Sequence, residues 1–178
     1  MGVNSLGTVV RRARSEYSGN VETPGIPKGD NPYLLPSPLH VDRRLDVTWK
    51  LSRRDATVGE SLKAVVVVRN LAEESLEIAY SKVVGGVTRP GHDSYVGVAT
   101  DAGPGVVRRT RIAPGERVEI DALVGTTPVE GVRLDSGDYV AVGALYLGIG
   151  SSRTKVIYVV RAPVVLHTAA ESTLGAFA

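Results

Sequence analysis

Three histidines, His40, His92 and His167, and no cysteine make up the chain's inventory of side chains that titrate near neutral pH. None of the three stands at metal-ligand spacing from another, and a thiolate site is excluded outright. His92, Asp93 and Ser94 have the residue types of a proton relay. Neighbours along a strand point to opposite faces, however, so they cannot pass a proton among themselves. No Gly-x-Ser-x-Gly elbow is present to expose a nucleophile. Asp135 and Asp138 flank a turn without a third oxygen ligand at calcium spacing, and read as turn caps. The stretch Gly148 to Ser152, GIGSS, lacks the lysine of a phosphate loop and reads as a hairpin turn between two strands. Lys28-Gly29-Asp30 has the form of an adhesion tripeptide and reads as a turn. The expectation is a protein that is not an enzyme and uses no cofactor or metal.

The remaining charged chemistry is basic and clustered: Arg11, Arg12 and Arg14, then Arg43 and Arg44, Arg53 and Arg54, and Arg108, Arg109 and Arg111. Aromatic residues are not interleaved with them, so a stacking platform for single-stranded nucleic acid is disfavoured. A formal net charge of +2 adds no argument for nucleic acid. These clusters read as solvated faces and intersubunit ion pairs. No apolar run is long enough to span a membrane, and the N-terminus lacks the apolar core of a signal peptide. Cytoplasmic synthesis is the expectation.

The elements that must carry these residues are strands. Of 178 residues, 43% are hydrophobic but only 5% aromatic, and β-branched valine dominates the apolar set. Twenty Gly and ten Pro supply turns. Strands are expected near 44–51, 61–70, 75–83, 93–99, 105–112, 116–124, 137–147 and 154–165. Val118, Ile120 and Ala122 alternate with Glu119 and Asp121, as on a strand with one wet face. Val65 to Val68 is apolar on both faces, as in a strand covered twice. Eight such strands without helical periodicity between them indicate an all-β, single Ig-like or jelly-roll-type antiparallel sandwich over residues 44–166.

Residues 1–43 read as an N-terminal arm. Leu6, Val9, Val10, Ala13 and Tyr17 share one face of a short amphipathic helix over 4–17. Five prolines between residues 18 and 40 then impose an extended segment. Residues 167–178 read as a second, shorter tail.

Three segments resemble bacterial and phage Ig-like modules. DATVGESLKAVVVVRN, residues 55–70, is similar to their second strand, with Gly59 and Glu60 turning into it and Asn70 closing it. IAPGERVEIDALV, 112–124, is similar to their Pro-Gly-Glu turn and following strand. LDSGDYVAV, 134–142, resembles the tyrosine-corner strand, which implies a bond from the Tyr139 hydroxyl back to the backbone. The same order of motifs occurs in cell-adhesion-related Ig modules and, more distantly, in the bacillar intracellular proteinase inhibitors. Ala141 stands where an antibody domain has cysteine, and the inhibitors' tyrosine–aspartate–phenylalanine segment is missing.

The function these features lead us to expect is structural: a component of a large assembly, such as a phage or virus capsid decoration or minor virion protein. Its partners would be other protein subunits, including copies of itself, with neither membrane nor nucleic acid. The arm would bind those neighbours through Val9, Val10, Arg11, Arg12, Arg14, Tyr17, Tyr33, Leu34 and Leu35. The alternative is an intracellular inhibitor or protein-binding module presenting a loop at 84–93.

Overall fold

A computed structural model describes residues 11–16, 33–35, 42–100, 105–150 and 154–169 of the chain. Its strands are β1 (Arg11–Glu16), β2 (Leu45–Leu51), β3 (Asp55–Thr57), β4 (Ser61–Asn70), β5 (Leu76–Tyr80) and β6 (Val83–Thr88). They continue with β7 (Tyr95–Val98), β8 (Arg108–Ile112), β9 (Arg117–Gly125), β10 (Thr127–Pro128), β11 (Gly137–Ile149) and β12 (Thr154–His167). The protein is all-β. The strands form one hydrogen-bonded network in the order β1-β12-β11-β6-β9-β4-β2, curled into a half-barrel.

Two pairings correct the expectation of a wholly antiparallel sheet. β6 runs parallel to β9, and β3 runs parallel to the end of β12. The second follows from connectivity: three residues after β2 ends, the chain crosses to β12 and draws the two ends of the curled sheet together.

Alternation along each strand sorts inside from outside. On β4, Leu62, Ala64, Val66 and Val68 are buried; on β9, Ile120, Ala122 and Val124; on β2, Leu45, Val47 and Trp49. Trp49 fits because Gly143 faces it, where a Cβ would stand 2.6 Å from the indole ring. With no disulfide available, such packing holds the fold, each buried aliphatic side chain contributing roughly 1.5–3 kcal/mol.

Polar anchors fix the ends of the strands. Asn70, fully buried, donates through Nδ2 to the carbonyls of Glu74 (2.7 Å) and Ile112 (3.0 Å), and its Oδ1 accepts from the Ala72 amide at 2.8 Å. The Tyr139 hydroxyl donates to the Asp135 carbonyl at 3.1 Å, closing the expected corner. Thr126 Oγ1 lies 2.8 Å from the Glu60 carbonyl and ties the end of β9 to the turn before β4.

Two segment readings are corrected. Residues 11–16 are strand rather than helix, paired antiparallel with residues 154–159 of β12; the other residues of the expected 4–17 helix lie outside the described residues. A three-turn helix is marginal alone in water, whereas an open strand edge supplies backbone partners directly. The first half of the expected loop at 84–93 is strand β6. Gly85 and Gly86 look like turn residues, but they are close-approach positions. A Cβ on Gly85 would fall 2.1 Å from the Val142 carbonyl oxygen, and one on Gly86 would fall 2.0 Å from that of Gly97.

Candidate binding groove

The outer face of β2, β4 and β9 forms an open groove of about 710 Å³. Its floor follows from register. Lys50 pairs with Val65, which pairs with Asp121; Thr48 pairs with Val67, which pairs with Glu119; Lys63 pairs with Leu123. Each of the first two rows therefore sets a valine between two polar residues. Val65, Val67 and Leu123 are half-buried, while Lys50, Lys63, Glu119 and Asp121 are exposed. Tyr80, Lys82, Val106 and Arg108 make a side wall. Val106 is 69% exposed there, an apolar side chain turned to solvent at the rim.

Spacing keeps one opposite-charge pair of the groove apart. Lys50 and Asp121 are separated by a whole strand, about 9.6 Å between backbones. Among the described residues none of Lys50, Lys63, Lys82, Arg108, Glu119 and Asp121 forms an ion pair. Elsewhere some arginines are paired: Arg44 with Asp42 at 3.1 Å, Arg53 with Glu60 at 2.8 Å and Arg161 with Asp93 at 2.9 Å. The groove carries four cations against two carboxylates, an excess of 4 − 2 = +2. That equals the formal net charge of the whole chain, so the remainder of the molecule balances.

Of the residues expected to bind partners, the described ones do not line the groove. Val9, Val10 and Tyr17 fall outside the described residues, and Arg11, Arg12 and Arg14 lie on β1. Tyr33, Leu34 and Leu35 pair with their own chain: the Tyr33 carbonyl accepts from the Tyr95 amide at 2.8 Å, and the Leu35 amide donates to the Asp93 carbonyl at 2.9 Å. Leu34 is 53% exposed above this contact. His92 sits in the turn before it, His167 ends β12 opposite Thr57, and His40 and Lys28-Gly29-Asp30 lie outside the described residues. The sequence signal that could have found the groove is Val65 and Val67, apolar on a face where the neighbouring strands are charged.

No protein-family model matches the chain, and no curated protein is similar to it. Among solved structures it is similar to the Pseudomonas fluorescens alkylpurine DNA glycosylase AlkC bound to DNA containing an abasic site analog, at 12% identity and TM-score 0.37. That match covers 70% of this chain and 30% of the glycosylase. The chain is also similar to the structural-genomics target SoR45, at 14% identity and TM-score 0.34, covering 74% of this chain and 92% of that one. One of these similar structures is an enzyme, which stands against the expectation of a protein that is not one, and no enzyme reading is established for this chain. At these TM-scores neither likeness carries a reaction, a substrate or a fold name over to this chain.

Proposed function

We propose that the chain is a protein-binding module of a larger assembly, an Ig-like β-sandwich that holds a segment of a partner subunit in the β2–β4–β9 groove. The observation that carries this reading is the outer face of β4. Val65 lies half-buried between the unpaired Lys50 and Asp121, and Val67 between Thr48 and Glu119, with no strand or loop of the described chain laid over them. An apolar centre with a charged rim is the anatomy of a protein interface. The Ig-like assignment draws support from the Tyr139 corner and from Asn70 closing β4. The reading covers the capsid-decoration role expected from sequence, in which the partner is a neighbouring shell subunit or a second copy. It moves the contact from the arm to the groove, because the described arm segments pair with their own chain.

The test is site-specific photo-cross-linking in the native host. A photoreactive residue at Val67 should capture one defined polypeptide. The same residue at exposed Pro163, on β12, should capture none. Capture of the same species from both positions, or none from Val67, would sink the reading.

A further inference from the structure

We infer that the segment received by the groove is an extended peptide carrying net negative charge, with small apolar side chains between its acids. This rests on the protein-binding reading above and adds the chemistry of the partner.

The argument begins with placement. The two carboxylates, Glu119 and Asp121, stand on β9 on one side of the valines. The cations surround the floor from separate elements: Lys50 on β2, Lys63 on β4, Lys82 before β6 and Arg108 on β8. An acid-bearing segment crossing the floor meets a cation at each side, and its apolar side chains settle on Val65, Val67 and Leu123. The face continues basic beyond the groove. Arg69 and Arg117 are directly paired across β4 and β9, with Asp46 opposite Arg69 as the nearest compensating charge on that row.

Length and shape favour an extended peptide. From Lys63 to Val67 the floor runs about 13 Å along β4, the reach of about four residues in extended conformation. Nucleic acid fits less well, since it carries a phosphate at every residue and would set some of them against Glu119 and Asp121. Among the described residues Tyr80 is the only aromatic side chain lining the groove, too little for base stacking.

The experiment titrates the full chain with four probes at 150 mM NaCl: octapeptides of alternating Asp and Val, Lys and Val, and Ser and Val, and the oligonucleotide dT8. The Asp-Val peptide is expected to bind at least tenfold tighter than either other peptide and than dT8. The double variant Lys63→Glu with Arg108→Glu should remove that preference. Both residues are exposed and unpaired among the described residues, and a matched variant, Lys50→Gln with Lys82→Gln, should weaken binding in the same direction. Equal or tighter binding of the Lys-Val peptide overturns the inference, as does tighter binding of dT8, or binding of no probe. Cross-linking from Val67 reads the broader proposal separately, so a wrong charge and a wrong site give different results.

Discussion

The two outer faces of this curled sheet are built from the same kind of residue and end differently. On β2, β4 and β9 the outward valines, Val65 and Val67, are half-buried and rimmed by unpaired charge. On β11 and β12 the outward valines, Val142 and Val159, are buried although they lie outside the main core. The chain supplies its own cover there. The ring of Tyr95 reaches over Gly86, close enough that a Cβ on that glycine would lie 2.9 Å from its Cδ1. Tyr146 and Arg161 flank it, and Asp93 holds Arg161. One face is thus finished internally, whereas on the other the described chain leaves an apolar strip between separated charges. The proposed binding face rests on this contrast with a covered face of like composition, not on half-buried valine alone.

The strongest way to break this comparison is Gly86→Ala. Its Cβ would meet the backbone oxygen of Gly97 as well as Tyr95, and backbone cannot swing aside. We expect a loss on the order of 3 kcal/mol from overpacking, read as the urea midpoint. A near-neutral result would mean that β7 and Tyr95 do not close over β6. The next largest effect sharpens the contrast within a single strand. Val66→Ala, at 0% exposed, should cost about 2–3 kcal/mol by cavity formation. Its neighbour Val67→Ala should change stability by no more than about 0.5 kcal/mol while weakening partner capture. Equal destabilisation by both would show that Val67 belongs to the folding core.

The smallest effect lies in alkaline titration. Burial pushes the Tyr95 phenol well above its ordinary value, with Tyr146 adding to the rise and Arg161 opposing it, and burial also raises Tyr146. A raised phenol keeps its proton in the folded state after the unfolded chain has lost it. The folded state then binds more protons, so the stabilisation is fully present below about pH 10 and declines as pH rises above it. Each such tyrosine contributes a slope of at most about 1.4 kcal/mol per pH unit. Denaturation midpoints should fall between pH 10 and 11, and Tyr95→Phe should flatten that fall. An unchanged slope in the variant would place Tyr95 in solvent.

Much of the strand pattern was legible in the sequence, because period-two alternation and β-branched runs are local signals. β4 spans Ser61–Asn70, as expected, and Gly150 adopts φ 65° in the turn between β11 and β12. The tyrosine corner was legible through Asp135 to Tyr139. β6 was not, since Gly85 and Gly86 mimic a turn unless one knows which backbones approach them. Nor was β1, whose partner lies some 140 residues away, beyond any window of periodicity. The groove was half legible. Four consecutive valines announced a strand apolar on both faces, but which charges frame the second face depends on registers between β2, β4 and β9 that alternation alone does not assign.

The parallel seam between β3 and β12 sets an order of events. Its first pair, Asp55 with Val165, joins residues 165 − 55 = 110 apart, whereas the β11–β12 hairpin starts from Gly148 and Lys155, 155 − 148 = 7 apart. Closing the longer loop costs about 2.4 kcal/mol more in chain entropy, against only three residue pairs to offset it. The hairpin can therefore zip early from its turn, while the seam waits until the strands between are in place. What joins the edges of the half-barrel is the last part to arrive, and thermal agitation will find it first.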